Sequence, residues 1–228
     1  QQLNPVHLEA LEIAEAGLHG LGVKSTLELY TGFGLRLDEL AAQCRGFLDS
    51  TERLYEIAAD RLFRDRLGIS LGAVQRSDTA RVMRAPEWDP QFRADEMVPA
   101  LRSTLLDLGI DLDRQANVHL DVEQRPKKSP RAFCSPIEVP GKVMLVIQPM
   151  GGVDDWRALF HEAGHTQHFA HTSADLPVEA RRLGDNAVTE GWAMLLQHLT
   201  DEPAWLNRRL NFPRADEFAR EGAATLLF

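Results

Sequence analysis

The sequence predicts a mainly α-helical protein with a small β-sheet, an α+β class. Two observations carry this. Apolar residues recur at helical spacing through the first 116 residues and again after residue 152. Between those stretches, over residues 118–148, the period drops from 3.6 to two. The chain has 228 residues, 44% of them hydrophobic and 26% charged. That is ample for a buried core and excludes disordered, collagen-like and disulfide-scaffold classes.

From the N-terminus, Pro5 to Leu18 places Val6, Leu8, Leu11, Ile13, Ala14 and Leu18 roughly on one helical face. Gly20, Gly22, Gly32 and Gly34 punctuate the next stretch. A long helix is expected over 37–67, with Leu37, Leu40, Ala41, Cys44, Phe47, Leu48, Leu54, Ile57, Ala58 and Leu62 as its apolar positions. Another is expected over 95–108, with Pro86 and Pro90 in the loop before it. Val118, Leu120 and Val122 alternate with polar neighbours as a strand does. Two more strands, over 131–139 and 142–148, are joined at Pro140-Gly141 as a hairpin. Gly151-Gly152 closes the sheet, and Asp154 or Asp155 is the expected cap of a helix over 156–170. Further helices are expected over 186–199 and 215–228, the last opened by Pro213.

Charge and cysteine content narrow the function. With 25 Lys+Arg against 34 Asp+Glu, the net charge is −9. An acidic chain without a basic stripe is not a nucleic-acid binder. Its one basic cluster, Arg125, Lys127, Lys128 and Arg131, reads as a solvated loop. The longest aliphatic run, Val143 to Ile147, is far too short for a membrane span, and no secretory signal opens the chain. Cys44 and Cys134 have no CxxC partner, which excludes a cysteine-ligated zinc site and fits a reduced, cytoplasmic setting. Gln1 stands where an initiating Met is usual, so an upstream segment is expected to be missing.

One motif carries chemistry: His161-Glu162-Ala163-Gly164-His165, an HExxH pattern. Positions i and i+4 share a helical face, so both imidazoles reach one Zn²⁺ at about 2.0–2.1 Å. Glu162 lies about 100° round the helix, where it reaches a zinc-activated water without being a ligand. It is the expected general base, taking the water's proton and passing it to the leaving amine. A catalytic zinc needs a third protein ligand. Glu190 is the leading candidate. It lies off an apolar stripe of Val188, Trp192, Leu195, Leu196 and Leu199, together with Ala193, Met194 and Gln197. The loop over 172–184 is long enough for the two helices to run antiparallel. Glu179 competes, although Pro177 and Arg181-Arg182 mark its surroundings as a solvated loop. His168, two turns after His161, is either a substrate contact or a packing histidine. The partners that orient the zinc histidines are open, with Asp154 and Asp185 as candidates.

These residues resemble a known group. Ala132-Phe133-Cys134-Ser135-Pro136, then the run Trp156 to His168 containing HExGH and the further His168, then Glu190, are similar to the thimet oligopeptidase and oligoendopeptidase F family of zinc metallopeptidases. Angiotensin-converting enzyme and the thermostable zinc carboxypeptidases are related in geometry. The resemblance spans about residues 117–200, on specific motifs. It implies a zincin-like core in which the HExxH helix faces a Glu-bearing helix. His161, His165 and Glu190 would bind one Zn²⁺ per chain and Glu162 would be the base. The strand at Ala132, Phe133 and Cys134, together with His168, would contact substrate, an extended peptide adding to the strand edge. It further implies a helical region at 1–116 forming part of a cleft wall and a catalytic core at 117–228, one structural unit overall. Pro130-Arg131 departs from the glycine that commonly precedes this strand. The family places Tyr and His oxyanion donors after the third ligand. Here Tyr30 and Tyr55 lie upstream and no His follows His198. The chain therefore reads as a partial one, with Leu226-Leu227-Phe228 as an exposed apolar end and weak activity in isolation.

The expected function is a zinc-dependent oligopeptidase acting on short peptides. The alternatives are a non-catalytic metal- or peptide-binding module, or a carboxypeptidase or peptidyl-dipeptidase of the related families. An intact Glu162 favours catalysis, because a mere metal site has no need of the base.

Overall fold

The computed structural model describes residues 3–182 and 186–225. Asp185 and the apolar end Leu226-Leu227-Phe228 lie outside the described residues. The helices are α1 (Asn4–Gly20), α2 (Thr26–Gly32), α3 (Leu37–Leu67), α4 (Arg76–Arg84), α5 (Met97–Asp107), α6 (Val153–Ala170), α7 (Val178–Arg182), α8 (Asn186–Leu199), α9 (Pro203–Leu210) and α10 (Ala215–Thr225). The strands are β1 (Val118–Asp121), β2 (Phe133–Glu138) and β3 (Lys142–Val146). The mainly helical class with a small sheet is thus as expected, and no helix is long and apolar enough to cross a membrane among the described residues.

The chain divides into two compact units, 1–57 and 58–228. The division falls inside α3. The reason is where the apolar residues go. Trp88, Phe92, Leu101 and Leu105 share a buried core with Trp156 and Phe160, so residues 58–116 belong with the motif-bearing part.

In the first unit, α1 and α2 contain no buried residue. Ser25 caps α2, its hydroxyl accepting from the Glu28 N–H at 3.1 Å. The Glu28 carboxylate accepts in turn from the Lys24 N–H at 2.6 Å. Leu40, Phe47, Leu48 and Leu54 of α3 are exposed.

The second unit is built on a three-stranded sheet in the order β1-β3-β2, with β1 parallel and β2 antiparallel to β3. The hairpin at Pro140-Gly141 is therefore present, and β2 is an outer strand. Val143 and Leu145 of the central strand are buried, and α6 packs across β2 and β3. Helix α6 begins at Val153, three residues earlier than expected, and neither Asp154 nor Asp155 caps it. The N-cap is Gly152 at φ 89°, a conformation that favours glycine. A Cβ there would lie 2.7 Å from Asp89 Oδ1. The Asp89 carboxylate takes over as acceptor for the Val153 N–H at 3.0 Å, and Arg84 holds it from the other side in a two-point ion pair. Asp155 instead accepts from the Met150 and Gly151 N–H groups.

Behind α6 lies an aromatic core. Phe92 stands against Trp156, Phe212 and Phe218 with ring centroids 5.2–5.8 Å apart. Trp156 and Phe160 both meet the edge of Trp205. The buried indole N–H groups are satisfied: Trp156 donates to the Arg93 carbonyl and Trp205 to the Thr104 hydroxyl. This packing fixes the back of α6, so its other face is presented in a set orientation. Phe92→Ala should cost about 3–5 kcal/mol of stability, because the ring is 1% exposed and its three aromatic neighbours cannot all collapse onto the gap. A urea unfolding midpoint unchanged from wild type would contradict it.

Candidate metal centre

The centre lies between α6 and α8, and a glycine sets their separation. A Cβ on Gly164 would stand 2.3 Å from the Trp192 carbonyl oxygen and 2.5 Å from Ala193 Cα. Both obstacles are backbone, so only glycine allows this approach. Ala193, wholly buried, is the small residue opposite. Three residues before it on α8 is Glu190, and four after it is Gln197, so all three share one stripe. His161 pairs with Gln197 near the end of α8 and His165 pairs with Thr189 near its start, so the helices run antiparallel, as expected.

The face of α8 turned to α6 carries Glu190, Ala193 and Gln197, as expected. Its buried residues are Ala193 and Leu196. Val188, Trp192 and Leu195 are 51%, 49% and 57% exposed, so the apolar stripe does not face inward as a whole. The narrow gap at Gly164 admits a small residue, not an indole.

His161, His165 and Glu190 each offer a ligand atom, and these atoms lie within 4.8 Å of one another. The two Nε2 atoms are 3.2 Å apart. The Glu190 carboxylate stands 3.5 Å from His161 Nε2 and 3.7 Å from His165 Nε2. Two bonds of about 2.0–2.1 Å at the tetrahedral angle separate their donor atoms by about 3.3–3.4 Å. The observed spacings match that requirement, and two imidazoles with one carboxylate are a donor set suited to Zn²⁺.

Each ring is anchored through its other nitrogen. His161 Nδ1 lies 2.8 Å from Gln197 Oε1, and His165 Nδ1 lies 2.8 Å from Thr189 Oγ1. With Nε2 engaged by a metal, each Nδ1–H donates to its partner, which fixes tautomer and ring plane. Sequence reasoning missed both anchors. Gln197 was visible as the residue seven after Glu190 and so on its face. Thr189 had no comparable signal. Of the two expected anchors, Asp154 pairs with Arg84 at 3.1 Å, and Asp185 lies outside the described residues. Glu179 is exposed on α7 and stands outside the ligand group.

Glu162 meets the sheet. Its Oε2 accepts from the Cys134 N–H at 2.8 Å, and its own carbonyl accepts from the Thr166 hydroxyl. Ala132, just before β2, is buried, and within β2 Phe133 is exposed and Cys134 half-buried. Further on, Arg182 donates to the Pro136 and Ile137 carbonyls and Arg181 to that of Val139. Of the outer strand, the end at residues 132–135 therefore lies nearest Glu162 and clear of these arginines. Burial pushes the Cys134 thiol up to about 11, with the Thr166 hydrogen bond opposing and the Glu162 charge reinforcing. It is a neutral thiol at neutral pH, not a nucleophile. His168 is half-buried, and burial, then the nearby His165, holds its pKa below the usual histidine range.

Comparison with protein-family models, with curated proteins and with solved structures returns no match to this chain.

If the close approach at Gly164 positions Glu190, Gly164→Ala should push α8 outward and weaken zinc binding by about 10–100-fold, the scale of lost ligand positioning. A zinc titration against a competing chelator measures this, with circular dichroism verifying that the helices persist. An unchanged affinity would mean that the glycine contact does not govern the site.

Proposed function

We propose that this chain carries the catalytic centre of a zinc-dependent peptidase that hydrolyses short peptides. The observation that supports it is the convergence of His161, His165 and Glu190 at tetrahedral donor spacing, with Glu162 beside the two histidines on α6. The HExGH pattern and its likeness to zinc oligopeptidases point the same way.

In this reading His161 Nε2, His165 Nε2 and the Glu190 carboxylate would hold the metal. Zn²⁺ held there would supply Lewis acidity toward a water and the scissile carbonyl. The protein does the rest. Gln197 and Thr189 hold the two rings in the ligating tautomer. The Cys134 N–H holds Glu162 Oε2 and leaves Oε1 to take the water's proton. Glu162 takes that proton as the C–O bond forms and then delivers it to the departing amine as the C–N bond breaks. An extended peptide adds beside the outer strand at residues 132–135, where main-chain pairing tolerates varied side chains.

A non-catalytic metal-binding module is the second reading, and Glu162 separates the two. Glu162→Gln should leave zinc content near one per chain and lower peptide hydrolysis by about 10²–10⁴-fold, since the amide keeps the shape but takes no proton. Glu190→Ala should lose most of the zinc. Zinc binding by wild type with no hydrolysis of any short peptide would favour the module. Turnover of Glu162→Gln within about threefold of wild type would remove Glu162 as the base.

A further inference from the structure

Next to the centre is a pocket of about 570 Å³, with Ile110, His168, His171, Leu176, Ala180 and Trp192 in its wall. That lies within the range of about 300–1,000 Å³ typical of small-ligand sites, so a large side chain with its flanking main chain fits. Its place is informative. His168 comes one helical turn after the ligand His165, so the two are neighbours on the surface of α6. The opposite wall belongs to α8, the helix that carries Glu190.

The chemistry of the wall selects the occupant. Among the described residues, no Asp, Glu, Lys or Arg lines it. Among its polar members, His168 Nδ1 is buried without a hydrogen-bond partner, while others are committed to the protein. Gln167 exchanges hydrogen bonds with Gln115 at 2.9 and 3.0 Å. His171 Nδ1 lies 2.9 Å from the Gln167 carbonyl oxygen, and the Thr172 hydroxyl donates to the His168 carbonyl. A charged side chain entering here would lose water and meet no opposite charge. An apolar or aromatic one would cover Ile110, Leu176 and the half-exposed Trp192 ring.

We propose that this pocket is the subsite that selects the substrate, taking a large apolar or aromatic side chain from a residue flanking the scissile bond. The proposal rests on the peptidase reading and adds its specificity. Leu176 and Trp192 are the specificity-determining residues, since they offer the largest apolar surface in the wall.

Two measurements separate this from the peptidase reading itself. In the first, zinc-loaded Glu162→Gln protein is titrated with N-acetyl-phenylalanine amide, N-acetyl-alanine amide and N-acetyl-aspartate amide, with the Trp192 indole and His168 ring resonances as readout. The phenylalanine probe should shift both saturably and bind at least about tenfold more tightly than the other two. Leu176→Trp and, independently, Ala180→Trp should fill the pocket and abolish the shifts. In the second, wild type is assayed on matched peptides carrying Phe or Ala beside the scissile bond. The Phe peptide should have about 10–100-fold higher kcat/KM, and Leu176→Trp should erase that preference. Absence of shifts with every probe, or equal binding of the aspartate probe, overturns the proposal. So does hydrolysis that ignores both the Phe/Ala exchange and Leu176→Trp, and that outcome leaves the peptidase reading standing. Selective binding of the phenylalanine probe without hydrolysis of any peptide would do the reverse, supporting an apolar side-chain site and removing the peptidase.

Discussion

The centre depends on one contact, the meeting of Gly164 with the backbone at Trp192 and Ala193. Imidazole and carboxylate side chains are short, and a zinc bond spans only about 2 Å. Ligands from two helices meet only if the helices nearly touch. Close-packed helices usually stand about 8–10 Å apart, depending on the side chains between them. Here one side lacks a side chain and the other contributes only a methyl group. The contact lies between the two histidine positions at one side and between Glu190 and Gln197 at the other. The same stripe that brings the helices together therefore delivers both the candidate third ligand and a ring anchor.

That arrangement makes the centre polar at its heart and apolar behind. The aromatic core at Trp156, Phe160 and Trp205 holds the rear of α6, and the polar pairs at its front are satisfied within the protein. A half-buried imidazole with an unpaired N–H would cost about 1–3 kcal/mol. The Gln197 and Thr189 contacts remove that cost and also set the direction of each ring. Glu162 is governed by a third element, since its carboxylate rests on an amide of β2. The candidate ligands and base thus lie on α6 and α8, the ring anchors on α8, and the amide that holds Glu162 on the outer strand, so none of the three elements positions the site alone.

The motif-bearing half of this was legible in the sequence. An i,i+4 histidine pair fixes which residues share a face, whatever surrounds the helix. The bounds of α3 and α8 and the hairpin of β2 and β3 came from period and turn residues for the same reason: those signals are local. The rest was tertiary. The unit division inside α3 has no local mark, because the helical pattern runs through it. Helices α4, α7 and α9 are too short for periodicity to stand out. Asp155 looked like a helix cap, but Gly152 takes that place and a carboxylate 64 residues upstream receives the Val153 N–H. Gln197 was seen to share the Glu190 face, yet its bond to His161 required knowing how closely α8 approaches.

The orientation of α8 is the instructive case. By hydrophobicity, Val188, Trp192 and Leu195 should turn inward, yet they are half or more exposed. The inward stripe is instead Glu190, Ala193 and Gln197, two polar residues and a methyl. A helix oriented by apolar burial alone would rotate to cover the indole, and the carboxylate would leave the histidines. What holds the observed rotation is the backbone contact at Gly164, which has no room for anything larger than Ala193, together with the hydrogen bonds at each end of the helix. Local preference and observed structure disagree at this helix and agree in most of its surroundings, a conflict expected where a site takes precedence over packing. The same rotation leaves Trp192 at the rim, beside His168 and Leu176. The apolar surface that α8 does not spend on the core thereby becomes a wall of the pocket next to the candidate metal ligands.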